Sequence, residues 1–556
     1  WYEENGEPSE AIDHAVAARD FERAADLAEM TIPALFRTRQ EATIRRWMKV
    51  LPYDVVRVRP VLAVEFVGAL VVAGEFEGVE ARLRDAEQWL DATSTNDSDA
   101  ASTEMVVVDQ SQFRFLPGQI GTYWAALALM HGDLAGTLAH TQRVLEVAAD
   151  DDHLSRASAA GLAGLARWTS GDLDGGYQAY ADCVEGLRRI GNIADISGCS
   201  IALADIRTAQ GRLGDAVRVY DQALRVFAKQ GDVVLRGTAD LHVGLSALNC
   251  ERDDLHAAKE HLRRSQELGE HNGLPQNPYR WRVAMARIRQ AEGDLTGAAE
   301  LLAEAEGVYV SDFFPNVRPV PAMKARLQAL HGDIDAAFAW VRQRGLSVDD
   351  DLTYVGEFEH ITLARILLAR HAAERSEGLL EQATRLLERL LAAAEAGGRA
   401  GAVIEILVLH ALALRADGDE RGALTSLGRA LRLAEPEGYV RVFADEGPPM
   451  ATLLRALAKQ GSGSYVRRLL AAVTPTTYGE PGTQRLVDPL SDRELDVLRL
   501  LGSDLDGPDI ARELTVSLNT MRTHTKNIYA KLGVTNRRAA VRMGQELQLL
   551  SRPAPR

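Results

Sequence analysis

The chain has 556 residues, of which 46% are hydrophobic and 26% are charged, and its formal net charge is -16. That length exceeds a single hydrophobic core and predicts two to four domains, while the composition excludes a disordered chain and predicts a soluble globular one. The acid excess argues against nucleic-acid binding by the chain as a whole, although not by a basic part of it.

The cysteines and the apolar stretches indicate the compartment. Cys183, Cys199 and Cys250 are not spaced as metal-binding pairs, so we expect small buried side chains in a reducing cytoplasm. The most apolar stretch, residues 61–73, is interrupted by Glu65 and is shorter than the roughly 20 residues that a membrane span needs. We therefore expect a cytoplasmic protein without membrane contact.

A short pattern recurs along most of the chain: glycine, an acidic or turn residue, an apolar residue, and in most copies alanine soon after. Clear copies begin at Gly132, Gly171, Gly211, Asp253, Gly293, Gly332 and Gly418, and weaker ones at Arg19 and Gly74. Most copies lie about 40 residues apart. Glycine suits the left-handed position just past a helix, and aspartate caps the helix that follows. The pattern predicts a series of helical hairpins.

Within one copy, apolar residues recur at helical spacing. Ala216, Tyr220, Ala223, Leu224 and Phe227 form one face of the predicted helix. Such a hairpin cannot bury its apolar face alone, so we expect successive hairpins to stack into a superhelix with a concave surface. The fold class is therefore predicted to be all-α, with a helical-hairpin superhelix as its main domain.

Three stretches interrupt the repeats. Thr93–Gln112, rich in Ser, Thr, Asp and Asn, predicts a surface loop, and Asn272–Tyr279 predicts a turn between hairpins. The proline- and glycine-rich residues 473–488 predict a linker. Asp150–His153 lacks further partners at ligand spacing and predicts a solvated, helix-capping turn, not a metal site.

The repeats resemble tetratricopeptide-type repeats, in the looser version found in the maltose-regulator-like branch of bacterial regulators. The resemblance covers roughly residues 1–460, with Trp1–Pro8 similar to the start of that region and Gly438–Phe443 to its end. Large regulators of this branch carry an ATP-binding module before the repeats, whereas this chain contains no phosphate-binding loop motif. Because it also begins without methionine, we expect either part of such a regulator or a shortened relative that works without ATP. The start has no pattern of a secretory signal.

After the linker, the sequence predicts four short helices. Ser491 and Glu494 form a capping box, in which the glutamate reaches back to the serine. The predicted helices run from Ser491 to Gly502, from Asp506 through Pro508 to Leu514, from Ser517 to Gly533, and onward from Asn536. Between Arg512 and Arg542, seven basic residues stand against the single acid Glu513, so the acid excess lies elsewhere in the chain.

The third of these helices has two different sides. Its apolar side is expected to contain Thr520, Met521, Ile528 and Leu532. Arg522, Thr523 and Lys526 fall on another side, toward the N-terminal half that a helix-turn-helix presents to the major groove.

We predict that these three residues read bases, since arginine and lysine donate readily to guanine. The residues predicted to contact phosphates are Asn519, Thr520, Asn527, Lys531 and Arg537. The sequence allows two roles for His524, a phosphate contact or a buried, hydrogen-bonded structural position.

This C-terminal segment resembles a LuxR-type DNA-binding domain. The resemblance is carried by Leu490-Ser491-x-Arg493-Glu494, Val497-Leu498, Ile510-Ala511, Thr520-Met521-Arg522-x-His524, and Ile528-x-x-Lys531-Leu532-Gly533-Val534 with Arg537. It implies that Arg522, Thr523 and Lys526 occupy base-reading positions and that the fourth helix is where such domains dimerise. Pro508 stands where a basic residue is common, and Met521 replaces the usual valine.

Together these features predict a repeat domain over residues 1–472, a linker over 473–488 and a DNA-binding domain over 489–556. The predicted function is a non-enzymatic transcriptional regulator that binds double-stranded DNA as a homodimer and needs no metal or cofactor. An unidentified small effector or a protein would bind the repeats, and RNA polymerase is a partner open to such a regulator. The alternative is a helical-repeat scaffold for protein partners, with weak or no DNA binding.

Overall fold

The computed structural model describes residues 7–37, 40–94, 105–193, 195–229, 235–269, 272–311, 314–459, 463–473, 492–503, 505–514, 516–532, 534 and 536–546. The chain divides into two compact units, Trp1–Thr474 and Pro475–Arg556. Over the ranges given, it forms helices and no β-strand, which confirms the predicted all-α class.

Unit 1 begins with helices of unequal length and continues as eight hairpins in its described part. The first helices are α1 (Pro8–Ala17), α2 (Phe21–Arg37), α3 (Glu41–Val50), α4 (Tyr53–Val56), α5 (Pro60–Val72), α6 (Val79–Ser94) and α7 (Gln110–Phe113). The first four hairpins are α8 (Leu116–Met130) with α9 (Leu134–Val147), α10 (His153–Ser170) with α11 (Leu173–Arg189), α12 (Ile196–Ala209) with α13 (Leu213–Ala228), and α14 (Thr238–Glu251) with α15 (Leu255–Leu268).

The next four hairpins are α16 (Asn277–Ala291) with α17 (Leu295–Gly307), α18 (Val320–His331) with α19 (Ile334–Arg344), α20 (Glu357–Glu374) with α21 (Glu377–Ala396), and α22 (Ala400–Ala416) with α23 (Glu420–Ala434). A 3₁₀ turn (Glu435–Glu437) leads to α24 (Arg441–Ala444), α25 (Gly447–Lys459) and α26 (Ser464–Ala472). Unit 2 contains α27 (Asp492–Leu501), α28 (Gly507–Glu513), α29 (Leu518–Leu532) and α30 (Arg537–Glu546).

The hairpin turns confirm the predicted roles of the recurring glycine and aspartate. The repeat glycines are left-handed, with φ between +75° and +90°, at Gly132, Gly171, Gly211, Gly293, Gly332 and Gly418. The aspartates that accept a backbone N–H three residues later, and so cap the second helix, are Asp133, Asp172, Asp254, Asp294, Asp333 and Asp419. Asp253 and Arg19 hold the glycine position of their copies and are also left-handed, with φ of 63° and 62°.

Two sequence predictions about loops need correction. Thr93 lies in α6, and Gln110–Gln112 lie in α7, so the predicted loop Thr93–Gln112 is partly helical; its residues 95–104 lie outside the described ranges. The reason is that Asp109 caps α7 by accepting from two backbone N–H groups, and capping residues are the ones that also favour turns. Similarly, the last part of Asn272–Tyr279 already belongs to α16.

Four further sequence predictions concern Asp150–His153, metal binding, membrane spans and the linker. Asp152 accepts from the backbone N–H of Ser155 and caps α10, as the capping-turn interpretation of Asp150–His153 predicts, but Asp152 is itself buried, so the turn is not fully solvated. In the described part of the chain, no three His, Cys, Asp or Glu side chains lie close enough together to hold a metal ion. Nor does any described helix have the length and apolarity of a membrane span. Val473 is buried in unit 1, and the rest of the predicted linker lies outside the described ranges.

The hairpin array curves until its later hairpins contact its earlier ones. Trp168 Nε1 donates to Tyr354 Oη at 2.9 Å, and the backbone N–H of Val440 donates to the carbonyl of Glu251 at 3.0 Å. Consequently α12 packs against α22 and α14 packs against α24. The first helices of several hairpins thus surround an interior space.

Candidate nucleic-acid interface

Unit 2 is built on a small apolar core that fixes the orientation of α29. The core residues are Val497, Leu498, Leu501, Ile510, Ala511, Met521, Ile528 and Ala540, all at most 6% exposed. Met521 and Ile528 lie seven residues apart, two helical turns, and therefore share the inner side of α29. Burying that side turns Arg522, Thr523, Lys526 and Asn527 toward solvent.

The boundaries of these helices follow the predicted caps. Asp506 accepts from the backbone N–H of Asp509 at 2.9 Å and begins α28, and Ser517 Oγ accepts from the N–H of Thr520 at 3.1 Å and begins α29. Asn536 accepts from Ala539 N–H at 2.9 Å at the start of α30. The capping box itself involves Ser491, which lies outside the described residues, as does Gly533.

One small residue at the start of α28 allows α29 to pack closely against it. A side chain on Gly507 would come within 2.9 Å of the Met521 terminal methyl. Met521 therefore fills the space above the start of α28, a packing role for the residue that replaces the usual valine. The two helices meet as a helix-turn-helix.

The outer side of α29 carries six of the eight residues predicted to contact DNA. Its exposed residues are Asn519, Thr520, Arg522, Thr523, Lys526 and Asn527. Within the described residues, neither Arg522 nor Lys526 forms an ion pair or a hydrogen bond, so both cations face solvent without an internal partner. Thr523 Oγ1 donates to the carbonyl of Asn519 at 3.0 Å. The structure thus brings the three predicted base-reading residues together on one exposed surface.

Thr520 and His524 are placed differently. Thr520 is exposed, so the expectation that it shares the buried side of α29 is wrong; its hydroxyl lies 2.7 Å from that of Ser517 at the helix start. Exposure at the first turn of α29 leaves Thr520 available for the predicted phosphate contact. His524 is half-buried on the flank of the same helix.

Lys531 has a partner inside the domain. Its Nζ lies 2.9 Å from Oε2 of Glu494, whose side chain is only 5% exposed. The pair joins α29 to α27, and it engages the ammonium group for which a phosphate contact is predicted. A phosphate contact by Lys531 remains a prediction that would require this pair to open.

Arg537 is also used internally. Its Nε, Nη1 and Nη2 donate to the carbonyls of Leu501, Leu505 and Ser503, at 2.8, 2.8 and 2.6 Å. The guanidinium therefore satisfies carbonyls at the C-terminus of α27 and in the loop that follows. The predicted phosphate contact of Arg537 would compete with these three hydrogen bonds.

The pairing of Glu494 with Lys531 was missed by the sequence prediction, although a signal for it exists. Glu494 continues the apolar stripe of Val497, Leu498 and Leu501 at helical spacing, and Lys531 lies three residues after the buried Ile528. A charged residue in register with a buried stripe needs an opposite charge nearby. The capping-box pattern assigned Glu494 another partner.

Two family models match this chain. Residues 118–460 match the family described as the MalT-like TPR region, and residues 488–544 match the bacterial regulatory proteins of the luxR family. Curated relatives include proteins named HTH-type transcriptional regulator MalT from Serratia proteamaculans (strain 568), 24% identical over 579 residues, and from Yersinia pestis (strain Pestoides F), 25% identical over 576 residues. Each alignment covers 98% of this chain and 60% of the relative.

The solved structures that match this chain have lower sequence identity to it. A Rap protein complexed with competence and sporulation factor has a TM-score of 0.45 at 14% identity, covering 68% of this chain and 98% of its own. The apo form of the quorum sensor NprR from B. thuringiensis has a TM-score of 0.41 at 11% identity, covering 67% of this chain and 97% of its own.

Proposed function

We infer the function of this chain from the family to which it belongs, that of the MalT-like TPR regions. The chain spans 60% of the length of the curated relatives named above, so what those whole proteins do is carried over here as a proposal. We propose that this chain is a cytoplasmic transcriptional regulator: unit 2 binds promoter DNA, and unit 1 receives a signal.

The observation that carries this proposal is the outer side of α29. Arg522 and Lys526 are exposed cations without internal partners in the described structure, on the second helix of a helix-turn-helix. Most exposed cations merely face solvent, but their position in the N-terminal half of this helix is the position from which base edges are read. We propose that Arg522, Thr523 and Lys526 read bases and that Asn519, Thr520 and Asn527 contact phosphates.

The further partners are proposals of the same kind. Dimerisation through α30 would place two copies of α29 on a two-fold symmetric site, as helix-turn-helix dimers do. Binding of an effector or a protein to unit 1 would change the DNA affinity if it favoured one arrangement of the chain over another. RNA polymerase is a further proposed partner, and we propose no catalytic step.

Selection from a random-sequence DNA pool tests the proposal. The intact chain should enrich a two-fold symmetric site, and an Arg522→Ala/Lys526→Ala double variant should not. Arg499→Ala is the matched control, because Arg499 is an exposed arginine of α27 whose charge already pairs with Asp496 at 3.0 Å. Enrichment that persists in the double variant would remove Arg522 and Lys526 from the base-reading set, and no enrichment by the intact chain even at low salt would favour a protein-interaction scaffold.

A further inference from the structure

A cavity of about 780 Å³ lies inside the curve of the hairpin array in unit 1. Its walls come mainly from α16, α18, α20 and α22, the first helices of four successive hairpins, and α24 lines one side. The volume falls within the range of small-molecule sites. Its position follows from the closure of the array, which brings α14 and α22 against α24.

The charge of this cavity is opposite to that of the chain. Seven arginines and four carboxylate residues line it, an excess of three positive charges, whereas the chain as a whole carries -16. Cavity walls of low dielectric concentrate such a field on whatever enters. An anion is therefore favoured over a cation or a neutral molecule.

The carboxylates of the wall are already occupied by neighbouring arginines. Glu405 Oε1 accepts from Arg326 Nη1 at 2.5 Å and from Arg365 Nη2 at 2.9 Å, and Arg365 also pairs with Glu446. Glu251 accepts from Arg287 at 2.8 Å. Asp445 is likewise paired with Arg441, so each of the four carboxylates of the wall has an arginine partner.

The excess charge resides on arginines outside these pairs. Arg318 and Arg375 form no ion pair with any residue that the structure describes, and Arg415 donates to the carbonyl of Pro449. Arg318 is exposed to the cavity, with its guanidinium 5.1 Å from the centre of the Phe358 ring. Arg318 and Arg375 are both available to a ligand, and of the two it is Arg318 that lies over the Phe358 ring.

The pKa values of Arg326 and Glu405 reflect the same excess of positive charge. Burial lowers the pKa of Arg326 to about 9, and the positive charges of Arg365 and Arg318 add to this effect against the opposing Glu405. The same three arginines hold the pKa of Glu405 down at about 2, although burial alone would raise it. Positive charge at this end of the cavity is thus only partly compensated.

The rest of the wall is apolar. Leu302, Met323, Leu368 and Leu409 line the cavity, and the Phe358 ring stacks with Arg326 at 3.6 Å from its centre. A bare inorganic anion would leave this surface without a partner. An anion that carries an apolar group would cover this apolar wall, and removing both apolar surfaces from water would favour binding.

We propose that this cavity binds a small organic anion, whose carboxylate or phosphate group meets Arg318 and whose apolar part lies against Phe358 and the leucines. The inference rests on the proposed function only in naming the class of effector that unit 1 would receive. A carboxylate and a phosphate offer the same chemistry to a guanidinium, and the experiment separates them.

The test measures binding to the intact chain by calorimetry, with four aromatic probes. Benzoate and phenyl phosphate carry the charge, and benzyl alcohol and phenol are their neutral counterparts. We expect one of the anions, and neither neutral probe, to bind and to raise the melting temperature. Arg318→Ala should weaken that binding by at least about tenfold, the loss expected for a charge-assisted hydrogen bond.

The variants keep the test decisive. Arg318 has no ion pair to lose among the described residues, so Arg318→Ala should melt like the natural chain without ligand, and Arg318→Glu should abolish anion binding. Arg143→Ala is the matched control, since Arg143 is exposed on α9 away from the cavity. The proposal is overturned if neither anion binds in the millimolar range, if the neutral probes bind equally, or if Arg143→Ala loses as much affinity as Arg318→Ala.

DNA binding of the same preparations separates the two proposals. A chain that selects DNA but binds no anion keeps the proposed function and loses this inference. A chain that binds the anion through Arg318 but selects no DNA keeps the cavity assignment and loses the regulator.

Discussion

Lys531 Nζ lies 2.9 Å from Glu494 Oε2 and joins the exposed helix α29 to α27 across 37 positions of sequence. The carboxylate is buried and the ammonium is mostly so, which makes the pair sensitive to the loss of either partner. This ion pair therefore adds to the apolar core in fixing the orientation of α29.

Removing the cation should destabilise unit 2. We expect Lys531→Met to cost about 3 kcal/mol, because it removes the cation that pairs with the buried Glu494 carboxylate. Hydrogen exchange of peptides from α27 and α29 in the intact chain measures this loss. Arg499→Met is the control, since the exposed Arg499–Asp496 pair on the same helix should contribute less than about 1 kcal/mol. Equal protection in both variants would contradict the assignment.

A variant of Arg537 tests whether this residue stabilises unit 2 or contacts a DNA phosphate. Its three hydrogen bonds to carbonyls should make Arg537→Ala cost about 2 kcal/mol in the stability of unit 2, even without DNA. Hydrogen exchange near Leu501 and Ser503 reports this loss. Should Arg537→Ala leave exchange unchanged and only weaken DNA binding uniformly, the phosphate contact would be the better explanation.

Residues on the outer side of α29 should fall into two classes. Arg522→Ala is expected to cost about 1–3 kcal/mol at the selected site and to relax the preference at one base position. Asn527→Ala should weaken binding to all sequences alike, because a phosphate contact carries no sequence information. Titration of the intact chain against the selected site and single-base variants of it distinguishes them. A uniform loss in Arg522→Ala would remove it from the base-reading set.

Two glycines without close neighbours should respond in opposite directions to alanine. Gly332→Ala places a side chain at φ +89° in a hairpin turn and should cost about 1 kcal/mol. Gly198→Ala lies within α12, where alanine should add about 0.5–1 kcal/mol to stability. Urea unfolding of the intact chain measures both. A gain of stability in Gly332→Ala would contradict the role assigned to the recurring glycine.

The stability of unit 1 should fall in mildly acidic solution. His242 and His261 face each other with their Nδ1 atoms 3.0 Å apart, and burial, His261 and Arg264 lower the pKa of His242 to about 4. Burial also lowers the pKa of His261, against Asp221 and Glu260.

The unfolded chain binds the proton more tightly, since an unperturbed histidine has a pKa near 6.5. The stabilisation is therefore complete above pH 6.5 and is lost as the pH falls toward 4, by about 2 kcal/mol for His242. Urea unfolding at several pH values should show this slope in the natural chain and a shallower one in His242→Asn. An unchanged slope in the variant would assign the acid sensitivity to other groups.

The turns of the hairpins and the caps of unit 2 were predictable because their signals are local. Gly171 and Asp172 act on backbone groups within three or four residues, and so does Ser517. The loop prediction for Thr93–Gln112 failed for a related reason. Polar residues that favour a turn also cap helices, and Asp109 does so.

The sequence by itself determined the all-α class, the repeat, the helix-turn-helix and the exposed position of Arg522 and Lys526, because helical periodicity and capping depend on near neighbours. The tertiary structure decided which charges are used inside the molecule. Lys531 meets Glu494 only when α27 and α29 pack together, and the arginine-lined cavity forms only when the array closes, as with Trp168 and Tyr354, 186 positions apart. Such contacts depend on how helices pack over long separations, and the pattern within a single helix can show that a buried charge needs a partner but not which residue supplies it.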